Sequence, residues 1–276
     1  MTLCINEALK LSNELDDKER IAIQLGNLGL MSIDLGEFSK SLECYHESAC
    51  IYEEIGNKFG LASEYGNIAS LYGRRRDFKS ALDYSQKAFK IFKELNRSLS
   101  YAKELINYGN IQLGLNNYKH ALISIEEALG INKKAGDLRG IACALGSMGM
   151  VFGEQGDHKR AIELYQRSQE HYESIGDRIG VAKQFGNIGV EYGEMGDYST
   201  SLSFLNKEIS IYQEMHASFE LGKSLMNAGK AQNMLGDTQN ALAYYTEAER
   251  IFDSLDLHEF SESAKQQVIR LQNGNE

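Results

Sequence analysis

Residues 57–96 read NKFGLASEYGNIASLYGRRRDFKSALDYSQKAFKIFKELN. Tyr65, Ile68, Ala69 and Tyr72 fall at i, i+3, i+4 and i+7, one apolar stripe of an α-helix. Arg76-Asp77 breaks that helix. A second stripe follows, carried by Phe78, Ala81, Leu82, Ala88, Ile91, Phe92 and Leu95, and Asn96 closes the segment. Forty residues thus encode two helices joined by a tight turn.

The same segment recurs on both sides. Ala81-Leu82 is matched by Ala121-Leu122, Ala161-Ile162 and Ala241-Leu242, with Ser41-Leu42 and Ser201-Leu202 in the remaining slots. Twelve residues before each small residue stands Gly29, Ala69, Gly109, Gly149, Gly189 or Gly229. Glycine inside a helix costs about 1 kcal/mol against alanine, so glycines kept in register mark places where helices approach closely. The turns read Gly36-Glu37, Arg76-Asp77, Asn116-Asn117, Gly156-Asp157, Gly196-Asp197 and Gly236-Asp237. Glycine or asparagine suits a left-handed position after a helix, and the acid or amide that follows is placed to cap the next one. Gly56, Gly136 and Gly176 match Asn96 at the second turn.

A unit of this length cannot bury its apolar face alone, so neighbouring units stack and share a core. The expectation is an all-α, right-handed superhelical solenoid of antiparallel helix pairs, about fourteen helices in all. Its whole units are 17–56, 57–96, 97–136, 137–176, 177–216 and 217–256. A half unit (1–16) precedes them, which reads as an excised fragment of a longer chain or an unusual start. A polar capping helix with a tail (257–276) follows. Helix breaks are expected near residues 36, 56, 76 and onward at twenty-residue steps to 256.

Bulk composition narrows the function. The chain has 276 residues, no proline and 26 glycines, with 42% hydrophobic and 25% charged residues. Its formal charge of −10 argues against nucleic acid and anionic membrane surfaces as partners. No apolar run is long enough for a membrane span, and no signal-peptide pattern opens the chain. Cys4, Cys44, Cys50 and Cys143 have no zinc or disulfide spacing; they point to a reducing compartment, with Cys4 and Cys44 as buried small residues. The six histidines form no ligand set, and no phosphate loop or nucleophile motif is present. Neither catalysis nor a cofactor is expected.

The motif Phe185-x2-Ile188-Gly189-x2-Tyr192 together with Ala161-x3-Tyr165 resembles the tetratricopeptide repeat family. The proline that ends that family's unit is absent, its slots holding Glu53, Lys93, Lys133, Glu173, Gln213 and Asp253, and the period is forty instead of thirty-four. Leu25-Gly26-Asn27, Tyr65-Gly66-Asn67 and Phe185-Gly186-Asn187 are similar to the long-helix Leu-Gly-Asn spindle-orientation adaptors. They also resemble bacterial signalling arrays that precede cyclase or kinase domains. The resemblance implies a concave groove lined by the first helix of each pair, and a protein or peptide as ligand.

Opposite the core stripe, positions 23, 27, 30 and 34 and their repeats would line that groove. The central slot holds Asn27, Asn67, Asn107, Ser147, Asn187 and Asn227. An amide both donates and accepts, so such a ladder suits an extended peptide backbone; bonding between neighbouring helices is the alternative. One flank carries Lys103, Lys183 and Lys223, the third slot Asn110 and Lys230, and the far end Asp34, Arg74, Glu154 and Glu194. The 24 slots hold five positive and three negative charges, on a chain of −10. This favours an acidic peptide or a free C-terminal carboxylate, with Lys183, Asn187, Lys223, Asn227 and Lys230 as the centre; a randomly decorated solvated face is the rival. Arg74-Arg75-Arg76 suits a helix C-terminus. Glu208 stands where neighbours have serine or alanine, which suggests a local distortion or a lysine partner.

The expected function is a non-catalytic cytoplasmic binding scaffold. A regulatory sensor segment of a larger signalling protein, of kinase or cyclase type, is the alternative, and a self-assembling array is a third.

Overall fold

The computed structural model describes residues 17–34 and 37–273, and among them thirteen helices and no strand. The fourteenth expected helix, on residues 1–16, lies outside the described residues, as do Cys4, Gly36 and the Asp34 side chain. The chain forms two compact units, Met1–Gly140 and Ile141–Glu276.

In the first unit, α1 (Lys18–Asp34), α3 (Lys58–Arg74) and α5 (Ser98–Gly114) are the first helices of their pairs. Their partners are α2 (Phe38–Glu54), α4 (Phe78–Glu94) and α6 (Tyr118–Ala135). In the second unit the first helices are α7 (Leu138–Glu154), α9 (Arg178–Glu194) and α11 (Ser218–Met234). They pair with α8 (His158–Ser174), α10 (Tyr198–Glu214) and α12 (Thr238–Ser254), and α13 (His258–Asn273) packs on α12. Every described break from residue 56 to 256 falls where the period places it.

The turns form as their residues dictate. Gly56, Gly136, Gly156, Gly176, Gly196 and Gly236 take positive φ of 67 to 82°. Arg76, Asn96, Asn116, His216 and Asp256 occupy the same left-handed slot at 53 to 60°, where a Cβ is strained. At most turns the residue after the slot, when it is short and acidic or amidic, caps the next helix. Asn57, Asp77, Asp157, Asp197 and Asp237 each accept from the backbone N–H three residues on. Glu37 and Asn117 do not cap, contrary to expectation. The longer Glu37 side chain pairs with Lys40 at 2.9 Å, and Asn117 donates to Gln112 Oε1 at 2.9 Å.

The in-register glycines are packing sites. A Cβ on Gly109 would lie 2.5 Å from Ile125 Cγ1 and 3.1 Å from the Ala121 carbonyl oxygen. One on Gly149 would lie 2.6 Å from Tyr165 Cε1, and one on Gly229 2.7 Å from Tyr245 Cε1. Wherever the slot is glycine, the second helix thus seats a large side chain on bare first-helix backbone; the pair with Ala69 is the exception. Ile125, Tyr165 and Tyr245 are 0 to 4% exposed, and burying each contributes roughly 1.5–3 kcal/mol.

The two units repeat one another at a spacing of 120 residues, three periods. Ser48 Oγ donates to the Ala22 carbonyl at 2.8 Å, and Ser168 Oγ to the Ala142 carbonyl at 2.8 Å. Tyr72 stacks on Tyr84 and Tyr192 on Phe204. Lys87 lies over the Tyr65 and Tyr84 rings as Lys207 lies over Phe185 and Phe204.

Candidate functional site

The face opposite the core stripe divides its residues into free, tethered and paired groups. In the first unit Asn27, Arg74 and Lys103 are exposed, and Asn67, Asn107 and Asn110 are half-buried. In the second, Lys183, Lys223, Asn227 and Lys230 are exposed and Asn187 is half-buried. Ser147 departs from the expected ladder. It is 5% exposed, because the small residues of α7 let that helix sink into the core.

Two of the asparagines are tied to buried acids three residues earlier. Asn67 Nδ2 donates to Glu64 Oε2 at 3.1 Å, and Asn107 Nδ2 to Glu104 Oε2 at 3.3 Å. Glu64 and Glu104 are 6% and 3% exposed. Each also accepts from a serine on a second helix, Ser48 at 3.1 Å and Ser85 at 2.6 Å. Glycine makes the space. A Cβ on Gly26 would lie 2.7 Å from Glu64 Oε1, and one on Gly66 2.6 Å from Glu104 Oε2. Burial raises both carboxyls, outweighing the hydrogen bonds, and takes Glu104 up to about 7. The signal was present in the sequence as Glu-x-x-Asn at 64–67 and 104–107, with Gln184-x-x-Asn187 in the second unit.

Glu208 belongs to the same seam. Helix α10 runs unbroken through it, so no local distortion marks it, and the nearby lysine, Lys223, acts on it without forming an ion pair among the described residues. Ser48 and Glu64 stand sixteen residues apart, the serine on a second helix and the acid on the next first helix. Glu208 and Ser224 have the same separation with the two residue types exchanged. The Glu208 carboxylate sits against Gly186, and its Oε2 is buried without a partner. Burial takes the carboxyl up to about 7 against the opposing pull of Ser224 and Lys223.

A cavity recurs at the same place in both units, between the end of one first helix, the start of its partner and the next first helix. In the first unit Gly73, Arg74, Phe78, Asn107, Asn110 and Ile111 line a space of about 250 Å³. In the second, Gly193, Glu194, Tyr198, Asn227, Lys230 and Ala231, each 120 residues on, line one of about 60 Å³. Of the candidate residues, the structure brings Arg74, Asn107 and Asn110 together in one cavity and Asn227 and Lys230 in the other. Asn27, Asn67, Lys103, Lys183, Asn187 and Lys223 line neither.

The two cavities differ in charge. Arg74 makes no ion pair among the described residues, and Asn110 Oδ1 is buried without a partner. In the second, Lys230 Nζ meets Glu194 Oε1 at 3.5 Å. Lys223 Nζ lies 5.7 Å from the Phe219 ring centre. Phe78 was read as core and not as cavity wall, because helical periodicity does not distinguish a buried residue from one at the bottom of a cleft; Ile111, Tyr198 and Ala231 were not singled out from the sequence. No group of three or more His, Cys, Asp or Glu among the described residues is placed to hold a metal. No described helix is long and apolar enough to cross a membrane.

Comparison with known proteins follows this geometry. The family model described as Tetratricopeptide repeat matches residues 19–94 and 140–214, and that for Anaphase-promoting complex subunit 5 matches 70–155 and 189–253. No curated protein matches the sequence. A Rap protein complexed with Competence and Sporulation Factor superposes with a TM-score of 0.69 at 13% identity, covering 93% of this chain and 75% of that one. BtubC from P. vanneervenii gives 0.60 at 20% identity, with 82% and 92% covered. A signal transduction ATPase with numerous domains and a tetratricopeptide repeat sensor, from Pyrococcus horikoshii, gives 0.61 at 14% identity. It is covered over 97% of this chain and 46% of its own. At these identities the likeness is one of fold.

Proposed function

The chain belongs to the tetratricopeptide repeat family, and on that premise we propose that it is a non-catalytic scaffold that binds a protein or peptide along the polar face of its first helices. One observation carries this reading: the same cleft, walled by apolar side chains and edged by asparagine and charged groups, recurs in both units. Apolar walls with a few convergent polar groups are what a peptide side chain needs for burial and orientation. Asn27, Asn67, Lys103, Lys183, Asn187 and Lys223 extend the face beyond the clefts and would meet the rest of the ligand. The excess of cations among these slots favours an acidic segment or a C-terminal carboxylate, and the cytoplasm is the compartment proposed.

A second reading has an observation of its own. The fold likeness extends to a protein whose tetratricopeptide repeats form a sensor, and this chain spans 46% of that molecule. A sensor segment of a larger signalling protein would use the same face.

Capture of partners from native lysate, with mass spectrometry, tests the scaffold. Asn187→Ala and Asn227→Ala are expected to weaken the captured partner and leave thermal stability nearly unchanged, each lost amide contact being worth on the order of 1 kcal/mol. Lys183→Ala and Lys223→Ala weaken it further, with an effect that fades at high salt. Stability falling while affinity holds would place the ligand elsewhere.

A further inference from the structure

We propose, resting on the peptide-binding reading, that the first unit's cavity receives an acidic side chain of an extended peptide, and that the second unit's Glu194–Lys230 pair closes its twin to such a side chain.

In the first unit the far-end slot is Arg74 and the third slot Asn110; in the second they are Glu194 and Lys230. Glu194 and Lys230 satisfy one another at 3.5 Å, and the space left is about 60 Å³. The second cavity therefore already contains a carboxylate and a counter-charge. The first has a guanidinium with no ion pair among the described residues and a space of about 250 Å³.

The amides define the rest of the ligand. Asn107 directs one of its two N–H groups to Glu104, 3.3 Å away, which leaves its carbonyl oxygen as an acceptor and the other N–H as a donor. Asn110 Oδ1 is buried and unpartnered, and a buried acceptor is unfavourable until a donor arrives. The cavity thus asks for an anion at Arg74 and N–H donors at its amide oxygens. An aspartate or glutamate residue in an extended chain has both, the side-chain carboxylate and the backbone N–H. Phe78 and Ile111 supply apolar wall for its methylene groups. A guanidinium presents planar paired donors that match a carboxylate.

The test is an NMR titration of the full chain with N-acetyl-aspartate N-methylamide, a blocked acidic residue. Controls are its asparagine analogue, which is the same size and neutral, and N-acetyl-alanine, which offers a C-terminal carboxylate instead. The expected result is saturable shifts at the side-chain amides of Asn107 and Asn110, at least about tenfold weaker binding of the neutral analogue, and loss in Arg74→Glu. The double variant Glu194→Arg with Lys230→Asn rebuilds the second cavity as a copy of the first. It is expected to add a second binding event, read at Asn227. Both changed side chains are more than half exposed, so the fold tolerates them. Equal binding of the neutral analogue, preference for N-acetyl-alanine, binding that survives Arg74→Glu, no saturable shift, or no gain in the double variant would each overturn the proposal. A lysate partner held equally by wild type and Arg74→Glu would overturn it too, while leaving the scaffold reading standing.

Discussion

Replacing Glu104 by glutamine removes a buried charge without changing the shape of the side chain. Glu104 is 3% exposed and holds two hydrogen bonds, from Ser85 and Asn107, yet its carboxyl is pushed from 4.5 up to about 7 because burial outweighs them. The folded state therefore binds this proton more tightly than the unfolded chain. The stabilisation is fully present below the unfolded value and is lost as pH rises through the folded one. With those two values the loss is about 1 kcal/mol at about pH 5 and about 3 kcal/mol at about pH 8. Glutamine does not titrate, and Gln184 already occupies the equivalent slot at 5% exposure. Glu104→Gln should therefore gain about 2 kcal/mol on wild type between about pH 5 and about pH 8. Urea unfolding of both proteins at the two pH values measures that difference, and the difference cancels the contributions of Glu64 and Glu208. The reasoning is refuted if the gap between variant and wild type is the same at both pH values.

Other positions give changes of either sign. Gly109→Ala should lower stability by about 1–3 kcal/mol, because the new methyl meets Ile125 and the Ala121 carbonyl. Gly130→Ala, where nothing lies within 4 Å, should raise it by about 0.5–1 kcal/mol; thermal melts of the pair separate packing from propensity. His216→Gly relieves a left-handed residue at φ 53° and should stabilise by about 0.5–1 kcal/mol in the same assay. Ser224→Glu places a second carboxylate beside buried Glu208 and should destabilise strongly, whereas adding Glu208→Ser should restore most of the loss. Additive effects of those two changes in denaturant melts would show that the two side chains do not meet.

The repeat was legible because stacking makes every unit solve the same packing problem. A glycine at 29, 109, 149, 189 and 229 and a small residue twelve positions on are the marks of one close helix contact copied along the chain. The left-handed slot was equally legible where glycine or asparagine fills it. It was less so at His216 and Asp256, where the turn imposes a conformation that the residues' own preferences do not select. Capping was misjudged at Glu37 and Asn117 because side-chain length and a competing partner a few residues away decide it, and residue class alone contains neither.

The site was legible as a face and not as an arrangement. Periodicity puts Asn67 and Asn107 on the polar side of their helices, but three residues earlier on the same helices stand acids that the neighbouring glycines allow into the core. The asparagine amides answer to those acids first. Any contact they made with a ligand would therefore be coupled to the protonation of a buried group, through Glu104 for the one that lines the first cavity. A sum of charges over slots likewise leaves out which charges meet. Lys230 counts as a groove cation in a sum over slots, yet Glu194 shares its cavity and neutralises it. Arg74, which the sequence assigned chiefly to the helix terminus, is the cation whose cavity holds no counter-charge. Which cation is open to a ligand depends on contacts between successive first helices, forty residues apart in the chain, and a pattern read along one helix does not contain them.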